Sequence, residues 1–112
     1  MPFGLSDITI EKIKNVFINS PKIVRVRIFG SRAIGTQRVG SDIDFALEGD
    51  RLDLNDLIDL RVALDKLMLP YTVDLVDYER VKNENLGEHI RRVGLLFYQK
   101  DSDPDHPFGA KA

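Results

Sequence analysis

Two aspartates separated by one residue are the feature that most constrains how this chain can fold. Asp42 and Asp44 open a short segment, residues 42–48, whose alternation of acidic and apolar side chains predicts a β-strand. Side chains two residues apart in a strand point to the same face, about 6.6 Å from each other. We therefore expect Asp42 and Asp44 to share one face of a sheet, while the apolar residues in alternate positions are buried on the other.

A Gly-Ser pair precedes these aspartates by eleven residues. The β-branched run at residues 23–29 predicts a strand that ends at Gly30, and Ser31 follows where the chain turns. Glycine has no Cβ, so its backbone can approach a ligand closely. Ser31 adds a hydroxyl and a backbone N–H at the same point. The pattern indicates a phosphate-binding turn at Gly30 and Ser31.

A third strand, predicted at residues 71–76, carries another acidic side chain. If Val73 and Leu75 face the core, Asp74 emerges on the face that carries Asp42 and Asp44. Neighbouring strands lie about 4.8 Å apart, so this carboxylate can complete a metal site. Oxygen ligands of this kind select Mg²⁺ or Mn²⁺, and carboxylates at this spacing can bridge two ions for phosphoryl transfer. The sequence thus predicts nucleotide chemistry at a magnesium site.

Composition limits the classes that remain. The 112 residues predict one domain at 1–100, with helices near 7–19, 54–68 and 84–93, a short edge strand at 95–98 and a disordered tail at 101–112. Without cysteine, signal peptide or a long apolar run, we expect a cytoplasmic protein with no membrane partner. A net charge of −2 argues against a broad electrostatic grip on nucleic acid, so no direct nucleic-acid partner is expected.

Several polar residues near the motif allow two readings. Arg32 and Arg38 could contact a triphosphate or a partner, although solvent exposure is the commoner fate of a loop arginine. Ser41 favours a structural role in the turn. His89 is predicted on a polar helix face, where exposure is more common than catalysis.

The combination Gly30-Ser31, ten intervening residues, then Asp42-Ile43-Asp44, with Asp74 on a later strand, resembles the polymerase-β-like nucleotidyltransferase superfamily. Within it, the small size is similar to that of the minimal nucleotidyltransferases, the MNT or MntA-type antitoxins. The resemblance covers nearly the whole chain. It implies an α+β, two-layer fold: a mixed sheet with helices on one face and the active site on the other.

The resemblance also implies an activity. Family members transfer a nucleoside monophosphate from a triphosphate, and many minimal ones resemble type VII antitoxins that transfer AMP from ATP to a tyrosine hydroxyl of a HEPN-domain toxin. Carried over to this chain, Gly30 and Ser31 would hold the nucleotide, Asp42 and Asp44 would bind two Mg²⁺ ions, and Asp74 would bind the catalytic one. Whether Asp74 also takes the acceptor's proton is left open by the sequence.

Two other functions remain compatible with the residues. The chain could neutralise a toxin by binding alone, with a vestigial site, or it could transfer a nucleotide to a small molecule such as an aminoglycoside. The sequence fixes neither the acceptor, the nucleobase nor the number of AMP units. It also leaves open a homo-oligomer or a complex with the toxin.

Overall fold

The computed structural model describes residues 1–100, and the tail predicted at 101–112 lies outside them. Helices and strands alternate along most of this part of the chain. In chain order they are α1 (Asp7–Ile18), β1 (Ile23–Phe29), α2 (Ser31–Ile34), β2 (Ile43–Gly49), α3 (Leu54–Asp65), β3 (Val73–Asp77), α4 (Glu84–Val93) and β4 (Leu95–Gln99). No helix in the described part is long and apolar enough to cross a membrane.

The four strands form one mixed sheet in the order β3-β2-β1-β4. β1 pairs antiparallel with both β2 and β4, whereas β2 and β3 are parallel and α3 forms the crossover between them. The predicted edge strand is confirmed as β4, and the predicted mixed sheet is confirmed as well. Strand β2 begins one residue later than predicted, so that Asp42 lies just before it.

One face of the sheet carries the main hydrophobic core. Alternate residues of β1 and β2 point toward α1 and α3 and are fully buried there, as the period of two predicts. Phe17 of α1 meets Phe45 of β2 edge to face, with ring centroids 5.3 Å apart. The helices start where the sequence offers caps: the Ser6 hydroxyl accepts from the Thr9 N–H, and Asp53 forms a capping box with Asp56.

The opposite face differs from the prediction in one element. Helix α4 does not join α1 and α3; its Ile90 packs on the face that carries Asp44, against Phe29 and Ala46. The α+β fold class is confirmed, but helices cover both faces of the sheet. The acidic residues therefore lie beside α4, at the edge of a second, smaller core.

Candidate active site

Parallel pairing of β2 and β3 brings two of the predicted carboxyls together. Asp44 is the register partner of Asp74, and their carboxyl groups lie close enough for a protonated Asp44 to share a hydrogen bond with Asp74. Both project from the face opposite the main core, because Phe45 and Val73 next to them point into that core. The prediction that these two segments converge on one face is thus confirmed by the geometry.

Asp42 lies near this pair, just before β2 begins. It is exposed, as is Asp74, while Asp44 between them is partly buried. Asp42 is close enough to Asp44 to act on its ionisation. None of the three carboxylates forms a salt bridge within residues 1–100.

The pKa of Asp44 is raised above its ordinary value. Burial is the largest cause, followed by the negative charge of Asp74, their hydrogen bond and the charge of Asp42. The nearby His89 acts in the opposite direction. Mutual repulsion of this kind is the electrostatic setting in which a divalent cation is attracted.

The donor chemistry of this cluster fits Mg²⁺, which prefers carboxylate oxygens. As placed, however, no three acidic or histidine side chains in the described part already stand close enough to hold a metal ion by themselves. Asp44 and Asp74 supply the adjacent pair, and Asp42 is exposed just before the start of β2.

Gly30 permits the close approach on which the site depends. Its φ of 74° lies in the left-handed region, and a Cβ there would collide with the Asp44 carboxylate. Gly30 also opens α2, whose first residue is the partly buried Ser31. The predicted phosphate-binding turn and the predicted acidic strand are therefore in direct contact.

Arg32 is buried, whereas the sequence predicts a solvent-exposed loop arginine. Only 4% of it is exposed, and its guanidinium donates to the backbone carbonyls of Ser41 (2.9 and 3.1 Å), Phe3 (2.8 Å) and Gly4 (3.4 Å). It also stacks 4.6 Å above the Tyr71 ring. These contacts hold the backbone around the site, and they occupy the guanidinium that a triphosphate would need.

His89 is the site neighbour that sequence reasoning missed. It is partly buried on α4, edge-on to Phe29 with ring centroids 6.1 Å apart, and it lies within electrostatic reach of Asp44. The prediction of an exposed His89 is wrong. It rested on the polar face of the predicted helix, whereas α4 lies across the sheet and brings His89 against Phe29. Arg38, by contrast, is exposed, and Ser41 has the structural role predicted, since its hydroxyl accepts from the Arg38 N–H.

Sequence comparison gives the family directly. A family model described as Polymerase beta, Nucleotidyltransferase matches residues 11–103, which is most of the chain. The chain belongs to this nucleotidyltransferase family. The matched span includes all five predicted site residues: Gly30, Ser31, Asp42, Asp44 and Asp74. No curated protein matches at a significant level.

Several solved structures have a fold similar to that of this chain. A chain of a toxin–antitoxin crystal structure with AMP-PNP is 29% identical, with a TM-score of 0.67 over 81% of this nucleotidyltransferase and 73% of that chain. The structure described as a putative minimal nucleotidyltransferase is 28% identical, with a TM-score of 0.65 over 85% and 95% of the two chains. A tri-AMPylated Shewanella oneidensis HEPN toxin in complex with MNT antitoxin gives 23% identity and a TM-score of 0.64 over 86% and 74%. At 23% identity, the similarity to this complex shows only that the fold is shared.

Proposed function

We propose that this nucleotidyltransferase transfers AMP from ATP, with Mg²⁺, to a tyrosine hydroxyl of a HEPN-domain toxin, and that it serves as the antitoxin of a type VII pair. The observation that carries the proposal is the contact between Asp44 and Asp74 across β2 and β3, with Gly30 against the same carboxylate. An acidic pair packed on a glycine turn provides oxygen ligands beside a backbone that phosphates can approach.

In this proposal, Asp42 and Asp44 would hold both Mg²⁺ ions, and Asp74 would hold the catalytic one. Bound Mg²⁺ supplies charge neutralisation at the α-phosphate and a lower pKa for the acceptor hydroxyl. The tyrosine oxygen forms a bond to the α-phosphorus, the bond from that phosphorus to the β-phosphate oxygen breaks, and pyrophosphate leaves. In the same proposal Asp74, whose side chain is exposed, takes the hydroxyl proton.

The proposed toxin partner and the proposed acceptor hydroxyl are inferred from structures whose fold is similar to this one. The 29% identical relative was solved in a toxin–antitoxin structure with AMP-PNP, an ATP analogue. The HEPN toxin in the Shewanella oneidensis complex carries AMP groups, which is the precedent for the acceptor. Both observations belong to those proteins, and the proposal carries them to this chain.

The test is transfer of label from α-³²P-ATP to a purified HEPN-domain toxin encoded beside this chain, in the presence of Mg²⁺. We expect labelling by the wild type, and at least a roughly 10²-fold loss in Asp42→Asn and in Asp44→Asn, because each removes an oxygen ligand. Asp59→Asn, an exposed carboxylate on α3, is the matched control and should label normally. Undiminished labelling by both site variants would show that the site is elsewhere.

A second experiment distinguishes AMP transfer from neutralisation by binding alone. Cells that produce the toxin with the Asp42→Asn/Asp44→Asn double variant should lose protection if AMP transfer is the activity. Full protection by that variant would instead show neutralisation by binding. Labelling of an aminoglycoside, with none of the toxin, would assign the small-molecule alternative.

A further inference from the structure

The loop between α2 and β2 exposes apolar side chains beside the candidate site. Val39 at its tip is fully exposed, at 106% relative accessibility, and Ile34 at the end of α2 is 53% exposed. Arg38 is the charged residue between them, and it is exposed too. We propose that Ile34, Arg38 and Val39 form a rim that docks the protein acceptor, and thereby select a macromolecular substrate for the site. This inference rests on the proposed function.

The position of this rim follows from the chain itself. Gly30 and Ser31 immediately precede the loop, and Asp42 immediately follows it. Three Cα–Cα steps of 3.8 Å separate Val39 from Asp42, so the two lie within about 11 Å of each other. A standard interface covers about 800 Å² per partner, equivalent to a disc of roughly 16 Å radius. An acceptor protein centred on the carboxylates therefore covers Val39.

The rim is held rigidly although its tip is exposed. The Ser41 N–H donates to the Arg38 carbonyl (3.0 Å), and the Ser41 hydroxyl accepts from the Arg38 N–H (2.8 Å), so a tight turn presents Val39 outward. Gly40 has the left-handed φ of 83° that this turn uses. The Ser41 carbonyl is in turn bound by buried Arg32. Because the backbone of this turn is already ordered, little backbone freedom is lost when a partner covers Val39.

The side chains of the rim indicate which kind of molecule binds there. Two exposed aliphatic side chains and one guanidinium on the same segment match a protein surface that offers an apolar contact and an acidic residue near its acceptor hydroxyl. A free nucleotide presents phosphates and a base instead, and Val39 offers neither a hydrogen bond nor a ring to either of them. The rim therefore acts on the acceptor and leaves ATP binding to the glycine turn and the carboxylates.

The chain contains a matched control for this inference. Ile18 is the last residue of α1 and Ile34 the last residue of α2, and they are 58% and 53% exposed. Ile18 precedes β1, whereas Ile34 follows it. Seven strand residues at about 3.3 Å each place the two isoleucines at opposite ends of the sheet. The substitution Ile18→Ser thus changes the same side chain at a site remote from the carboxylates.

The experiment compares AMP transfer and toxin binding in Ile34→Ser/Val39→Ser, Val39→Ser and Ile18→Ser. We expect the double variant to lose about tenfold in kcat/KM for the HEPN-domain toxin and to bind the toxin correspondingly more weakly. The single variant, which leaves α2 intact, should lose part of this, and Ile18→Ser should lose none. Binding of Mg²⁺ with AMP-PNP should be unchanged in all three.

The outcomes separate the two proposals. If the wild type labels the toxin and the rim variants label it equally well, the docking inference is overturned and the proposed function stands. Weakened AMP-PNP binding in Val39→Ser also overturns the inference, because the loop would then serve the nucleotide. A wild type that neither binds nor labels the toxin overturns the proposed function and, with it, the acceptor named for the rim.

Discussion

Asp44 occupies a position that lowers the stability of the folded protein. Burial and the neighbouring Asp74 and Asp42 raise its pKa, so the folded state binds this proton more tightly than the unfolded state does. Stability therefore falls as the pH rises from the ordinary pKa of an aspartate to the raised one, and it stays lower at neutral pH. A site that must attract cations commonly carries such a cost.

Replacing Asp44 with a neutral residue should remove this loss of stability. In EDTA at pH 7 we expect Asp44→Asn to be more stable than the wild type by about 0.5 kcal/mol, a small value because solvent screens a partly exposed carboxylate. That corresponds to a Tm higher by about 2–4 °C in a domain of this size. Thermal unfolding monitored by circular dichroism measures it, and the difference should shrink as the pH is lowered toward about 3.9.

Asp59→Asn provides the comparison, since this carboxylate is exposed on α3, away from the acidic cluster. Its Tm should match the wild type at both pH values. An Asp44→Asn variant that is no more stable than the wild type at pH 7, or whose advantage grows in acid, would contradict the repulsion described for this cluster.

Single residues also show which parts of the site the sequence could predict. The period of two assigned Asp44 and Asp74 to one face correctly, because strand alternation is a local rule. The prediction of a solvated Arg32 is wrong because the carbonyls that accept its hydrogen bonds belong to Phe3, Gly4 and Ser41. The convergence of these carbonyls is a property of the tertiary structure. No local pattern distinguishes such an arginine from a solvated one.

At the scale of elements, α4 is the helix whose placement matters most for the site. The helix itself is predicted correctly at residues 84–93, but the resemblance implies that the helices share one face of the sheet. The signal for the other face is present in the strands: Phe29, Ala46 and Val76 alternate in phase with the acidic residues and form an apolar patch there. A sheet face that carries such a patch needs a cover, and α4 provides it.

The N-terminus of α4 can be tested through its cap. The Asn83 side chain accepts from the N–H groups of Asn85 (2.9 Å) and Leu86 (3.1 Å), so Asn83→Ala removes both bonds. We expect a loss of about 1 kcal/mol, which speeds amide hydrogen exchange within α4 about fivefold. Hydrogen exchange followed by mass spectrometry resolves this helix from the rest of the protein.

Asn85→Ala is the control, because the same residue type is removed two positions further on while the Asn83 bonds remain. Exchange in α4 should then stay near the wild-type rate. If both variants accelerate exchange equally, the effect comes from the side chain's polarity and the capping account fails.

At the scale of the whole molecule, Arg32 joins segments that are far apart in the chain. Its guanidinium connects the N-terminal turn at Pro2–Gly4, the loop before β2 and the Tyr71 ring before β3. Arg32 is almost completely buried, so these hydrogen bonds hold its guanidinium inside the protein. One side chain thus fixes the end of the molecule at which the site lies.

Removing this side chain should destabilise the whole fold. We expect Arg32→Ala to lose about 3 kcal/mol, since the hydrogen bonds and the packing of a buried side chain are lost together, and to lower the Tm by more than about 10 °C. Arg32→Lys should recover only part of this, because an ammonium cannot reproduce the planar fork of donors. Urea titration gives the free energies of unfolding.

Arg38→Ala is the appropriate reference, as the same residue type is removed from an exposed position of the loop that follows α2. Its stability should lie within about 0.5 kcal/mol of the wild type. Equal losses in the two alanine variants would mean that loop charge, rather than the buried contacts of Arg32, determines the stability of this region.

The parallel pairing of β2 and β3 has a further consequence for how the protein is made. Asp44 and Asp74 are thirty positions apart, and they meet only after α3 has folded back and laid β3 alongside β2. A ribosome that has released the chain only as far as Asp65 has already synthesised Asp42 and Asp44, yet their partner is still missing. Under the proposed function, AMP transfer by the nascent chain therefore begins only after β3 has emerged and paired with β2.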